Sequence, residues 1–385
     1  MASVPVMFKT PGTTAKTPTV AETPTTAETP TTAEASGATA TDRARPRGRA
    51  VLGALLLSAT AAALLPTAAV AAERESVTTH AGATTTEERD RIDGYWTPDR
   101  MRLAGALVPE ITPVPEDDRT PDDPRPLPVG TPDPGAVWTR GGAVNRSVGR
   151  LFFTFSDGYD GSCTATVVTA ANRSTAVTAA HCLRGVGAAS ADDTWRHNLY
   201  FVPGYRNGTK PLGGFSVRSM ATSSHWDADP GGTTSDAVAA AGHDTGMLVL
   251  NRSADGRRVA EVTGSQRIAF TRPVAGEFVD TFGYPKDRLN DPAAKYAGSR
   301  MIHCAGPARQ GPAAPLLWGE SCDMSHGASG GPHLTGFDPR TGSGTVVGVT
   351  TTTEELAGGT AGTLYATRLG EGARRLYDWA GGRVV

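Results

Sequence analysis

The chain has 385 residues, a formal net charge of -2, 46 glycines, 28 prolines and a hydrophobic share of 38%. The near-neutral charge does not argue for nucleic acid or a membrane surface as a partner, and neither nucleic acid nor a membrane is expected as one; the length suggests two or three folding units. Abundant Gly and Pro favour many turns and short strands over long helices.

Residues 10–41 repeat Thr-Pro-Thr and Ala-Glu-Thr-Pro units. Such a stretch has almost nothing to bury, so residues 1–42 read as a disordered Thr/Pro/Ala/Glu-rich extension. Arg43, Arg45, Arg47 and Arg49 then precede an apolar run from Ala50 to Leu65, which Pro66 and small residues through Ala72 end. This is the pattern of a signal peptide over residues 43–72, with cleavage near Ala71 to Glu73. About 16 apolar residues fall short of the roughly 20 that span a bilayer. The expectation is therefore a secreted, extracellular protein with no stable membrane insertion after cleavage, a retained anchor being the alternative. The stretch ahead of the arginines is long for an n-region, and a gene start further downstream would explain it; N-terminal sequencing of the precursor tests this.

Residues 73–140 are rich in Pro, Asp, Glu and Arg, with apolar islands at Tyr95-Trp96 and from Met101 to Val108, and Pro113 to Pro134 is proline-dense. They read as a propeptide or a flexible extension. From Val148 the texture changes. Strand signals run over Arg150–Phe155, Cys163–Val168, Ser174–Thr178, Asn198–Val202, Gly214–Ala221, Gly246–Leu250 and Val259–Val262. They continue over Arg267–Phe270, Phe278–Gly283, Lys295–Cys304, Ala314–Leu317, Thr345–Thr353 and Gly362–Thr367. Many short strands broken by turn residues predict an all-β barrel or sandwich over residues 141–385. Only Leu369–Ala380 reads as a helix, with Ala373, Leu376, Tyr377 and Ala380 at three- and four-residue steps.

Export leads to an oxidising compartment, so the four cysteines read as disulfides. Of three pairings, Cys163 with Cys182 and Cys304 with Cys322 is favoured, each closing a loop of about 20 residues for roughly 3 kcal/mol. A zinc site from His181, Cys182, His303 and Cys304 is the alternative, but adjacent His-Cys pairs lack the usual ligand spacing. No metal and no cofactor is expected.

Two blocks carry chemistry. Thr178-Ala179-Ala180-His181-Cys182 places a base at a strand end pinned by a half-cystine, and Gly327-Ala328-Ser329-Gly330-Gly331-Pro332 places a hydroxyl in a glycine turn. Glycines permit the positive φ of such a turn, and the backbone N–H groups of Gly327 and Ser329 can then converge on an oxyanion. Between the blocks, Asp244 opens the apolar run Gly246–Leu250, where a buried carboxylate can orient an imidazole. Asp229 and Asp236 lie upstream, but neither leads into an apolar strand.

In this order His181, Asp244 and Ser329 resemble the trypsin and chymotrypsin superfamily of serine endopeptidases, over roughly residues 141–380. The stretch Gly161-Ser162-Cys163-Thr164-Ala165 resembles the strand that carries the partner of the His-side cysteine. The resemblance implies two antiparallel six-stranded β-barrels, an N-terminal one over about 148–262 and a C-terminal one over about 265–367, with a terminal helix at about 369–380. It also implies peptide-bond hydrolysis through an acyl-enzyme, protein or peptide substrates, and a monomer.

Two departures stand out. Trypsin-like zymogens carry an Asp before the nucleophile, which pairs with the new N-terminus; here that residue is Ala328. Cleavage after Arg140 would start the chain at Gly141, yet a methyl group cannot hold an ammonium. This moves the resemblance towards the bacterial glutamyl endopeptidases, where the pair is also absent. Those enzymes read Glu with a His, and Thr350 stands at about that position. Asp323, six residues before Ser329, stands where trypsin selects Arg or Lys. Asp323 and Thr350 are thus the candidate substrate-binding residues. Asn145, Asn172, Asn207 and Asn251 begin N-x-[ST] sequons. A silent binding or adhesion module on the same barrels, and an esterase-like hydrolase with the same triad, are the competing readings.

Overall fold

The computed structural model describes residues 76–105, 132–185, 195–227, 240–286, 296–311, 316–353 and 362–385. The repeat region, residues 43–72 read as a signal peptide, and Asp229 and Asp236 lie outside them. All described residues belong to one unit, Ala69–Val385. In chain order its strands are β1 Val77–Ala81, β2 Asp133–Val137, β3 Val148–Thr154, β4 Asp160–Val167, β5 Thr175–Thr178, β6 His197–Pro203, β7 Phe215–Ser223 and β8 Gly246–Leu250. Then follow β9 Arg267–Ile268, β10 Phe278–Gly283, β11 Ile302–Pro307, β12 Arg309–Gln310, β13 Leu317–Ser321, β14 Pro332–Asp338, β15 Ser343–Thr353 and β16 Thr363–Arg368.

Strands β7, β6, β3, β4, β5 and β8 pair in that order, and β8 returns to β7, closing a six-stranded barrel. Alternation decides what fills it. Leu151 and Phe153 of β3 share an interior cluster with Ala165, Phe201, Val217 and Leu248. The opposite face of β3 is also buried: Phe152 meets Trp96 at 5.1 Å between ring centroids. A strand buried on both faces needs a second layer, which residues 76–105 supply.

The second sheet runs β12-β13-β16-β15-β14-β10-β11-β2, with β9 parallel to β15. It departs from the expected second six-stranded barrel. Among the described residues no ladder joins β11 to β13, so this half is an open, strongly curved half-barrel. The disulfide Cys304–Cys322 spans that seam from β11 to the residue after β13. Cys163–Cys182 ties β4 to the turn after β5. Both favoured pairings are therefore present. The cluster between the halves contains Val148, Val177 and Val249 from the barrel and Phe282, Leu334 and Val349 from the half-barrel. The helix Glu371–Gly381 seals it with Leu376 and Ala380, and Asn172 Nδ2 donates to Ala380 O at 2.8 Å.

Other sequence expectations shift. Val259–Val262 reads as a strand, but Val259–Thr263 is a short helix. Glu261 Oε2 accepts the Arg258 N–H at 2.9 Å at its start, and Gly264 at φ 72° ends it. The expected strand Ala314–Leu317 begins instead at Leu317. β14 escapes the sequence reading because Pro332 and Gly336 interrupt its apolar run. Residues read as a propeptide or flexible extension include β1, the helices Thr86–Tyr95 and Pro98–Leu103, and β2, all packed on the barrels. No helix among the described residues is long and apolar enough to cross a membrane.

Among the titratable groups that the half-barrel buries are Glu320 on β13 and His333 on β14, with His333 Nδ1 3.8 Å from Glu320 Oε1. Burial drives the Glu320 carboxyl well above its usual range and the His333 ring down to about 3. Between pH 6.5 and 3 the unfolded chain therefore carries a proton at His333 that the folded chain refuses, so the His333 contribution to stability falls as pH falls through that window, while the raised Glu320 carboxyl, protonated in the folded chain first, acts in the opposite sense. His333→Gln keeps a partner for Thr350 Oγ1 and removes the titration. Its loss of stability between pH 7 and pH 5 is expected to be smaller than wild type's by about 2 kcal/mol, read from urea unfolding at the two pH values.

Candidate active site

His181 sits in the turn Ala180–Cys182, directly after β5. Its own backbone N–H donates to Asp244 Oδ1 at 2.8 Å, and its ring Nδ1 lies 2.7 Å from Asp244 Oδ2. A carboxylate offers only acceptors, so the tautomer of a neutral ring that satisfies this contact carries its proton on Nδ1 and leaves Nε2 as an acceptor. A third donor, the Thr351 hydroxyl, reaches Asp244 Oδ2 at 2.6 Å. Asp244 is 1% exposed and His181 32%: the acid is sealed while the imidazole faces the opening. Trp226 flanks that imidazole at 6.5 Å between ring centroids.

Ser329 lies in a turn whose shape demands its glycines. Gly327 has φ 93° and Gly330 φ 78°. A methyl on Gly327 would meet Tyr284 O at 2.6 Å, and one on Gly330 would strike Thr178 Oγ1 and Thr164 O. The Ala179 backbone nitrogen is also 2.8 Å from that Gly330 position, so the serine turn packs onto the residues leading into His181. Among the described residues the N–H groups of Gly327 and Ser329 have no hydrogen-bond acceptor, whereas those of Ala328, Gly330 and Gly331 are taken by Ser325 O, Thr350 O and Ala328 O. Two unclaimed donors on either side of Ala328, one of them the serine's own N–H, are of the type that can stabilise an oxyanion.

The turn belongs to the half-barrel, but the closed barrel holds it. Thr164 on β4 donates its backbone N–H to Ser329 O at 2.8 Å and its hydroxyl to Gly327 O at 2.9 Å. The same hydroxyl accepts the Tyr284 N–H at 3.0 Å, and Thr164 O accepts from the Thr178 hydroxyl at 2.8 Å. Lys286 N donates to His326 O at 2.7 Å on the other side. Sequence reasoning missed Thr164, Thr178, Lys286 and Thr351 as site residues, although Thr178 lies inside the His181 block and Thr164 inside the stretch Gly161–Ala165. Nothing in sequence order brings Thr351 to Asp244, 107 positions away.

The two candidate specificity residues are buried. Asp323 is 3% exposed; its N–H donates to Pro134 O at 2.8 Å and its Oδ1 accepts from the Tyr296 hydroxyl at 2.7 Å. Thr350 is locked by its backbone to Gly330 and Gly331, and its hydroxyl lies 3.2 Å from His333 Nε2. Ala328 is fully buried among Met324, Ile302, Cys304, Cys322 and Leu364, an apolar setting for the position before the serine. His181 lies close to the sulfurs of Cys163 and Cys182, but those two sulfurs are joined as a disulfide and offer no thiolate.

No protein-family profile matches the chain, and no curated relative does. Solved structures do. The protease Anisep from Arthrobacter nicotinovorans shares 29% identity with a TM-score of 0.51, over 62% of this chain and 96% of that one. The thermostable serine protease AL20 from an extremophilic microorganism shares 27% identity with a TM-score of 0.51, over 62% of this chain and 98% of that one. A Glu endopeptidase structure matches at 16% identity with a TM-score of 0.46, over 66% and 100%. The fold is the two-barrel chymotrypsin-like fold, and the chain is similar to serine proteases that have it.

Thr164→Val is expected to orphan the buried Tyr284 N–H and Gly327 O and so cost about 2–4 kcal/mol of stability, measured by urea unfolding. Thr164→Ser, which keeps the hydroxyl, is expected to recover most of the loss.

Proposed function

We infer that this chain is a secreted serine endopeptidase in which Ser329 is the nucleophile, His181 the general base and Asp244 the residue that orients it. The observation that carries this reading is the buried Asp244 carboxylate. It takes three hydrogen bonds, from the His181 backbone N–H, the His181 ring at Nδ1 and the Thr351 hydroxyl, which supports a role in orienting that ring. In the first step His181 Nε2 takes the proton of Ser329 Oγ as that oxygen attacks the peptide carbonyl. The carbonyl oxygen becomes an oxyanion, which the N–H groups of Gly327 and Ser329 receive. The intermediate collapses with the C–N bond breaking, and the imidazolium gives its proton to the leaving amine. Water, deprotonated by the same imidazole, then releases the acyl group from Ser329.

The surroundings bear on activation and specificity. Ala328 has no charge to pair with a liberated N-terminus, so the turn takes its working shape without that ion pair. Thr164 and Lys286 supply its restraints instead. Asp323 already bonds the Tyr296 hydroxyl, and the Thr350 hydroxyl is turned to His333. Neither arrangement supports selection of Arg, Lys or Glu through those two side chains. The two disulfides accord with an oxidising destination, which supports the export reading of residues 43–72.

Wild-type protein is expected to react with one equivalent of a fluorophosphonate and to hydrolyse a peptide library. Ser329→Ala is expected to do neither, with an unchanged unfolding curve and a rate loss of several orders of magnitude. Stoichiometric labelling without peptide turnover would leave an esterase-like hydrolase, and no labelling of the folded wild type would leave a binding module.

A further inference from the structure

Residues 76–105 precede the barrel sequence and read as part of a segment to be removed. Their contacts describe something else. β1 pairs with β7 over five residues, from Val77 opposite Ser223 to Ala81 opposite Ser219. Gly82 and Ala83 continue the ladder onto Arg218 O and Val217 O. They cover the part of β7 that β6 leaves free, since β6 pairs only with Phe215 and Ser216. Asn251, itself buried, donates to Ala83 O at 2.9 Å. Trp96 is 1% exposed and donates its indole N–H to Asn198 O at 2.6 Å. Arg100 Nε and the Tyr95 hydroxyl both reach the Asp160 carboxylate, at 2.7 and 2.8 Å.

The decisive residue is Arg150 on β3. Its guanidinium is 1% exposed and has no carboxylate within salt-bridge distance among the described residues. It donates to Met101 O at 3.2 Å, to Ala104 O at 2.9 Å and to Ser162 Oγ at 2.8 Å. A buried cation held by carbonyls cannot lose them without being left uncompensated, and two of its acceptors belong to the segment.

The same end of the segment touches the serine turn through intermediaries. Lys286 Nζ donates to Gly105 O, while Lys286 N donates to His326 O. Gly298 packs against the Arg150 guanidinium and donates to Pro285 O, and Ala297 donates to Lys286 O. Residues 98–105 thus buttress the Tyr284–Lys286 strip, and that strip holds the turn from His326 to Ser329. The support is needed, because Ala328 removes the ion pair that could otherwise fix this turn.

We propose that residues 76–105 are a permanent clamp of the working protein, retained through any cleavage between residues 106 and 131, and that they hold the oxyanion turn in shape through Arg150 and Lys286. Lys286 is on this account a positioning residue. The clamp is a matter of structure; its effect on turnover rests on the function proposed above.

The test inserts a specific protease site between residues 106 and 131 of the secreted chain and cuts it. Native mass spectrometry is expected to show both pieces together, with denaturing gels showing two, and fluorophosphonate labelling is expected to proceed at the uncut rate. In the uncut protein, Lys286→Met is expected to lower kcat about tenfold or more with KM and the unfolding midpoint little changed, and Lys286→Arg is expected to restore kcat. Departure of the segment from a remainder that stays folded and labels at full rate would make it a disposable prosegment and overturn the clamp. An unaltered kcat in Lys286→Met would overturn the positioning role. Wild type that stays assembled after cutting but never labels would instead count against the proposed function and leave the clamp standing.

Discussion

The hydrogen bonds of one threonine join the two halves of this protein at the point where its chemistry would occur. Thr164 stands on a strand of the closed barrel, yet it holds two carbonyls of the glycine turn that the half-barrel presents, those of Gly327 and Ser329. Its hydroxyl donates to one half-barrel carbonyl and accepts from the Tyr284 N–H, so both of its roles are in use. Thr178, three residues before His181, secures the Thr164 carbonyl. His181 and Ser329 are therefore referred to the same small patch of β4 and β5. Any sliding of one half over the other would break these bonds in a buried place where water cannot replace them.

Stiffness around His181 has a different origin. Cys182 follows His181 and is tied to Cys163, the neighbour of Thr164. One strand end thus receives a covalent link and a network of hydrogen bonds within two residues. Asp244 adds a second tether by binding both the backbone and the ring of His181. A side chain held at two points loses little further freedom on reaching a reactive geometry. Thr351, reaching Asp244 from β15, makes the half-barrel a contributor to the position of a residue on the closed barrel. The site is a joint product of both halves, and neither half alone contains it.

The closed barrel also has an outer layer. Strand β3 is buried on both faces, which a free-standing small barrel would not allow, and the segment containing Trp96 and Met101 provides the cover. On the half-barrel, β2 does similar work against β11 and brings Pro134 to Asp323. The Pro- and Asp-rich composition of residues 73–140 hides these docked pieces, because short elements that fold only against an existing surface carry little periodicity of their own. Tyr95, Trp96 and Met101 were visible as an apolar island, and such an island is the trace of a face that must be covered.

What the sequence determined by itself was the local chemistry. Glycines at 327 and 330 declare a turn with positive φ, and Asp244 heads an apolar strand. The His-Cys pair marks a pinned strand end, and the spacing of short β runs declares barrels; each property resides in a few neighbouring residues. What only the tertiary structure decided was everything that depends on pairs distant in the chain. That includes the use of Thr164 and Thr351 as partners of the turn and the acid, the opening of the second barrel at β11 and β13, and the occupation of Asp323 by Tyr296. It also includes the burial of Arg150 beneath residues 101–104. A hydroxyl or a guanidinium looks the same in sequence whether it faces water or a carbonyl across 46 residues. Only the packing of the chain removes the water and thereby assigns the bond.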